Sequence, residues 1–431
     1  MLIIYSKKIT PRLTYAASQI FDRILNIPYQ LTDQLLNNID SKTFVVYYDT
    51  EDINFANIIY SSGLCQQTCI ENFIPIVSFH LDHPVYFQNP KKSCDYNIDI
   101  FSLVFYFLSR YEEYLPGQRD NHNRFSSAAS ISHVNNHLDF PIVDFWVRHF
   151  GEYLLSEFPT LHIPGPKFRF IPTFDIDHAW KYQNKGVLRN LGGFMKNLFN
   201  GSFNLLKERY AVLNNRPADP YFTFDDINKT HQGFELIYFI LLGGYNSLDI
   251  NISVDNKNFI NLIKELAGQY SVGIHPSYES NKQPGLIKKE KDSLAAIVNK
   301  DTTKSRQHYL KLEFPNTYKN LIDAGMTADY TMGFADNIGF RAGTAHQFKW
   351  YNLADEVSTE LIIWPFVAMD VAMRDYQNLS PEDGFLCLRK IKQAVQNTGG
   401  NFILIWHNSS FCMAEGWEEW VLAYKEFLNE E

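Results

Sequence analysis

From residue 166 to the C-terminus, short apolar runs alternate with amphipathic stretches, and this rhythm constrains the fold more than any other feature. The apolar runs are KFRFIPTFDI, ELIYFILLGG, YSVGIHPSY, SRQHYLKL, ADYTMGF, LIIWPFVAMD and NFILIWHN. Between them lie stretches of helical period, among them DNKNFINLIKELAGQ, KDSLAAIVNK, FPNTYKNLIDAG and EDGFLCLRKIKQAVQNTGG. A crossover helix returns the chain to the same end of a sheet, so strands joined in this way lie parallel. About seven such units predict a closed or nearly closed, deformed (β/α) barrel. In a barrel of this kind reactive side chains gather at the C-terminal ends of the strands.

The preceding segment has a looser α/β pattern. LIIY, TFVVYYD and IPIVSFH read as strands, and TYAASQIFDRIL, YNIDIFSLVFYFLSRYEEYL and DFWVRHFGEYLLSEF as helices, with a polar stretch PGQRDNHNRFSSAAS before the last. The Pro/Gly-punctuated PTLHIPGP then marks a boundary, giving a smaller α/β domain over 1–165 and the barrel over 166–431. No Gly-rich phosphate loop occurs, so nucleotide binding has no support. Neither an internal repeat nor a low-complexity tract is present.

Composition narrows the function. The net charge of −9 argues against a nucleic-acid partner, and mildly against docking on anionic lipid. Five cysteines in 431 residues are no disulfide framework, and Cys65 and Cys69 have no second pair at zinc-finger spacing. The run IFSLVFYFLS is far too short to span a bilayer and predicts a buried helix. With no signal-like N-terminus, a soluble cytoplasmic protein without membrane insertion is expected. The 34 Phe and 25 Tyr are assigned chiefly to cores, although rings also floor carbohydrate clefts.

The predicted strand ends carry Asp175 and Asp177, His275, Arg306 and His308, Asp370, and His407. One buried histidine is commonly a satisfied core residue. Three at strand ends beside two aspartates point instead to a metal ion and a water flanked by an acid and a base. The cation would also offset the repulsion between the close carboxylates of FDID. A second string, TFDD at 223–226, has no apolar strand before it and a helical pattern after it, so Asp225 and Asp226 are assigned to a helix N-terminus. His178 and His231 are assigned to the surface.

IPTFDID, VGIHPS, RQHYL, GFADNIGFRAGT and LIWHN, in this order, resemble the motifs of the polysaccharide deacetylase (NodB-homology) family of carbohydrate esterases. The match extends to a bacterial branch with an extra N-terminal α/β domain, whose hallmark DIFSLVFYFLSRYEEYLPGQRDNHNRFS resembles. The resemblance implies that Asp175 is the general base, Arg306 its orienting partner and His407 the general acid. Asp177 and His275 would be metal ligands. The family's second motif ends in a histidine where this chain has Glu279, so the third ligand is Glu279 or His308. His308 is preferred because imidazole preserves the ligand type.

Trp406 would wall an acetyl pocket or belong to the core. Asp329 and Asp336 would shape the substrate groove, and Arg341 would pair with one of them or with a surface acid. The implied activity is metal-dependent removal of an N-acetyl or similar acyl group from a carbohydrate, with a divalent metal, zinc first, as cofactor. It would belong to surface-polysaccharide metabolism. The alternatives are a metal-free relative acting as a sugar-binding or scaffold protein, and a glycosidase in which Asp370 faces Asp175. A phosphoesterase would need more carboxylates than are found.

Overall fold

Four consecutive buried apolar residues, LIIY, suit the middle of a parallel sheet covered on both faces. In the computed structural model, which describes residues 2–34, 44–49, 57–88, 96–214 and 217–430, they form β1 (Leu2–Tyr5). It is flanked by β2 (Tyr29–Thr32) and β3 (Phe44–Asp49), with β4 (Ile58–Tyr60) outside β3, all parallel. Helix α1 (Pro11–Ser18) begins where Thr10 caps the Leu13 amide and Pro11 takes the first turn. IPIVSFH does not join this sheet: β5 (Val77–His80) makes a separate antiparallel hairpin with β6 (His83–Tyr86). Helix α2 (Ile100–Leu108), capped by Asp99, buries every residue, as its composition predicts. Helices α3 (Ile131–Val134) and α4 (Ile142–Glu157) follow. Cys94 lies outside the described residues, and the other four cysteines are free.

The second sheet begins with β7 (Phe168–Ile176) and continues through β8 (Ile237–Ile240), β9 (Ser271–Ile274), β10 (Lys304–Ser305) and β11 (Ala328–Asp329). Its remaining strands are β12 (Phe348–Asn352), β13 (Val357–Ile363), β14 (Ala368–Met369) and β15 (Gly400–His407). The nine strands are ordered β12-β13-β11-β10-β9-β8-β7-β15-β14, parallel except for the β12–β13 hairpin. The seven expected runs are all here. LIIWPFVAMD is split into the end of β13 and β14, and β12 was not anticipated. No ladder joins β12 to β14 among the described residues, so pairing alone does not close a barrel. Two single backbone bonds, from Phe366 to Met332 and from Gly339 to Val367, tie the β14 side to the loop after β11.

Between β7 and β8 run α5 (Val187–Phe199), α6 (Phe203–Leu213) and α7 (Phe224–Thr230). The crossovers further on are α8 (Lys257–Gln269), α9 (Gly285–Val298), α10 (Asn316–Asp323) and α11 (Pro381–Thr398), and α12 (Glu418–Leu428) follows β15. Asp225 and Asp226 lie in the first turn of α7, the helix-terminal placement expected of the TFDD string, and Asp226 also accepts from Lys425. Among the described residues no helix is long and apolar enough to cross a membrane.

Side-chain alternation sorts the strands into two faces. Ile171 of β7, Ile237 and Phe239 of β8, and Ile403 and Ile405 of β15 form one core of their own with Tyr330 and Phe366. Their neighbours Phe170, Phe174, Tyr238, Phe402 and Leu404 point the other way, into the large core shared with the helices. The first set lines the inner face, and its last members in sequence are the site residues.

Candidate metal centre at the strand ends

Asp175 shares a face with Ile171, and His407 with Ile403 and Ile405. The two are register partners on adjacent parallel strands, so they sit side by side where the inner face ends. Asp175 Oδ1 accepts from Arg306 Nη1 at 2.8 Å. Arg306 has no freedom to leave: it is fully buried, donates from Nε to Tyr330 O at 3.0 Å, and lies 4.4 Å from the Phe239 ring centroid.

One residue past the end of β7, Asp177 meets two imidazoles. His275 Nε2 lies 3.3 Å from Asp177 Oδ1, and His308 Nε2 lies 3.6 Å from Asp177 Oδ2. The ligand atoms of these three residues fall within 4.8 Å of one another, a grouping that could hold a metal ion. Each imidazole is held through its other nitrogen: His275 Nδ1 is 2.5 Å from Arg306 O, and His308 Nδ1 is 2.8 Å from Asp249 Oδ1. A carbonyl or carboxylate oxygen only accepts, so both Nδ1 atoms carry protons and both Nε2 atoms turn toward Asp177.

Two observations fit a cation at this point. Asp177 Oδ1 is buried and has no hydrogen-bond partner of proper geometry, although His275 stands beside it. Such an orphan acceptor is costly unless positive charge faces it. The donor set, two imidazole nitrogens and a carboxylate oxygen, is one that zinc and other divalent ions accept.

The imidazoles themselves supply positive charge to this carboxylate, and a cation bound here would have to displace their Nε2 protons. Burial works to raise the Asp177 carboxyl, but the His308 charge, the close imidazole of His275 and the His407 charge together hold it well below its ordinary range. Burial opposes charge on His308, yet Asp177 and Asp249 push it up to about 9. His407 likewise resists burial and is pushed up to about 10 by Asp370, with Asp177 and Asp175 adding to the effect. Asp370 accepts both the His407 amide at 2.8 Å and His407 Nδ1 at 2.9 Å, which turns Nε2 toward Asp177, 3.8 Å away.

The group opens on a cavity of about 230 Å³. Beyond the ligands its wall includes His178, Tyr309, Tyr376 and Arg124, the last from the segment before the second sheet. Tyr309 and Leu310 hold left-handed backbone (φ 61° and 51°), a conformation that costs a non-glycine residue on the order of 1–2 kcal/mol. Arg124 donates from Nη1 to Tyr309 O at 2.7 Å and so helps to hold this strained turn.

The sequence expectations sort cleanly. Asp175, Asp177, His275, Arg306, His308 and His407 are brought together. Glu279 is not part of the group: it sits in a short turn, 3.7 Å from Lys282. Trp406 faces away by strand alternation and packs on Tyr424, Phe411 and Trp417, so it walls no pocket. Asp336 and Arg341 do not line the cavity. Asp336 accepts from Ser126 and Ser127, while Arg341 is buried on Glu113 at 2.6 Å, neither with Asp329 or Asp336 nor at the surface. Asp329 is fully buried against Ser305 and Thr331. His231 is buried with Tyr424, and His178 is half-buried in the cavity wall, so neither is a plain surface residue. Asp249 and Arg124 were missed: no motif marks Asp249, and Arg124, although inside the stretch resembling the N-terminal domain's hallmark, carries no site signal of its own.

Residues 2–159 match the model of a family of unknown function (DUF7033). No curated protein matches the chain. Among solved structures, the chain is similar to a "putative polysaccharide deacetylase from Mycobacterium smegmatis" at 14% identity and a TM-score of 0.40. That likeness covers 62% of this chain and 84% of the other. A likeness so distant identifies neither the fold nor the activity of this chain.

Proposed function

We propose that the protein is a metal-dependent hydrolase that removes an N-acetyl or similar acyl group from a carbohydrate. The observation that carries this reading is the Asp177–His275–His308 group, with ligand atoms within 4.8 Å, beside which Asp175 and His407 stand as neighbours on adjacent strands. When bound there, a divalent ion supplies a Lewis acid that polarises an acyl carbonyl and makes water more acidic. Asp175, aimed by Arg306, takes the proton of the attacking water. His407, held through Nδ1 by Asp370 with Nε2 turned to the site, delivers a proton to the departing amine, which leaves badly as an anion. The strand-end motifs resembling polysaccharide deacetylases support the same chemistry, and an open cavity that sets the Tyr309 and Tyr376 rings beside the charged group suits a sugar, placed by us in surface-polysaccharide metabolism. A glycosidase would need a free second carboxylate, and Asp370 is buried with both oxygens engaged by His407.

The test is zinc titration of chelator-stripped protein by calorimetry, followed by turnover of N-acetylated amino-sugar oligomers. One site per chain is expected, lost in His275→Ala. Asp175→Asn and His407→Ala should keep the fold and abolish turnover. Absence of zinc binding, or wild-type rates in either variant, overturns the reading.

A further inference from the structure

The hairpin α5–α6 is built inside out. Helix α5 has an apolar stripe at Val187, Leu188, Leu191, Phe194, Met195 and Leu198, the spacing by which a surface helix normally buries one face. Here none of its residues is buried; Val187 and Leu188 are 83% and 85% exposed. Its polar side turns inward instead. Arg209 of α6 nests on Gly193 and donates to Asn190 Oδ1 at 2.9 Å, and Arg189 donates to the carbonyls of Ile250 and Asn251. The connection between the helices continues the apolar surface through Phe199 and Phe203, 81% and 61% exposed.

Charge distinguishes this surface from the rest of the chain. Residues 185–213 hold five Lys or Arg and one acid, Glu208, in a protein of net charge −9. Glu208 is itself neutralised by Lys181 at 2.8 Å. Lys196 and Lys207 stand exposed beside the apolar stripe. Whole-chain charge, which argues mildly against lipid, averages this patch away.

We infer that the α5–α6 hairpin docks on the surface of an anionic phospholipid bilayer. An apolar stripe flanked by cations is the pattern of a helix lying in the membrane interface, its hydrophobic face in the acyl boundary and its lysines at the headgroups. Hydrocarbon beneath negative headgroups satisfies both halves of the patch at once. A second copy fits less well, because a two-fold hairpin pair would set these cations against themselves. Through Arg189 the hairpin is fixed to the loop whose Ile250 lines the site cavity.

Flotation of the full chain with vesicles tests this, comparing phosphatidylcholine alone with phosphatidylcholine containing phosphatidylglycerol. Wild type should float with the anionic vesicles about tenfold more tightly than with neutral ones, and less so at high salt. Leu188→Ser/Phe199→Ser/Phe203→Ser should lose vesicle binding. Lys196→Glu/Lys207→Glu should erase the preference for anionic lipid. Both variants should keep the wild-type melting temperature, since every changed side chain is exposed. The inference is overturned if wild type ignores both vesicles or if the apolar variant binds as wild type does. A wild-type dimer in sedimentation velocity that the apolar variant dissolves would assign the face to a second copy and overturn it equally.

Discussion

Asp249 shows at the residue scale how a site depends on groups that touch no substrate. It accepts His308 Nδ1, the Tyr278 amide and the Asn246 side-chain amide, and His308 together with these bonds holds its carboxyl below the usual range against burial. Removing it frees His308 to rotate and withdraws the negative charge that makes its imidazole a good ligand. Asp249→Ala should therefore weaken zinc binding about 10–100-fold in calorimetric titration, while His407 and Asp175 stay in place. An unchanged affinity would show that His308 is held by packing alone. Asp249 was invisible in the sequence because it lies in a loop, LLGGYNSLDIN, with neither a motif nor a periodic neighbour. Asp175, Asp177 and His407 were legible at the ends of apolar runs, and His275, Arg306 and His308 chiefly through the VGIHPS and RQHYL strings that resemble family motifs. The Trp406 alternative was decidable in advance: on one strand His407 and Trp406 face opposite ways, so if one enters the site the other cannot.

At the scale of elements, the long strands β7 and β15 were easily read, whereas β10 and β11 have two residues each and leave little periodic signal. SRQHYLKL reads as a strand but turns after Ser305, because the left-handed turn at Tyr309 is set by tertiary contacts such as the Arg124 bond. The loop containing Arg341 shows the same dependence. Gly339 (φ +136°) approaches Leu138 so closely that a Cβ would lie 2.4 Å from its carbonyl oxygen. A short helical turn at 111–114 presents Glu113, with no exposed side-chain surface, to Arg110 and Arg341. Burial works to raise the Glu113 carboxyl, but Arg341 and Arg110 overcome it and lower it to about 2. The unfolded chain keeps it near ~4.3, so its stabilisation is complete above that pH and is lost as pH falls through about 2. Glu113→Gln leaves buried Arg341 without its anion and Arg110 with Glu112 alone, and should cost about 3–5 kcal/mol at neutral pH. Denaturant unfolding should show this gap narrowing on acidification toward the folded-state value; a gap independent of pH would exclude the charge as its source.

For the whole molecule, one sheet lies within residues 2–60 and the other within 168–407, and the contacts between these segments tie them together. Strand β12 is an edge strand, and an uncovered edge invites pairing with other chains. The first segment covers it: Tyr15 of α1 donates to Lys349 O at 2.7 Å, and Tyr351 packs 5.0 Å from both Tyr15 and Phe105 ring centroids. Arg12 pairs with Glu356, Asp144 accepts the Ala345 amide at 2.7 Å, and Arg341 needs Glu113. Apart from half-buried Glu356 these partners are buried, and deleting one side leaves charged and polar groups on the other unpaired in an apolar setting, at a cost of several kcal/mol for a buried charge such as Arg341. Residues 166–431 expressed alone should accordingly aggregate or melt without cooperativity, even though they carry every ligand of the metal group. Co-expression with residues 1–165 should restore a soluble complex that binds zinc as the intact chain does. If the fragment instead folds alone, melts cooperatively and binds zinc with unchanged affinity, the first segment is an accessory to an autonomous catalytic unit. In that case Arg124 and His122, both against Tyr309, remain its direct links to the cavity wall.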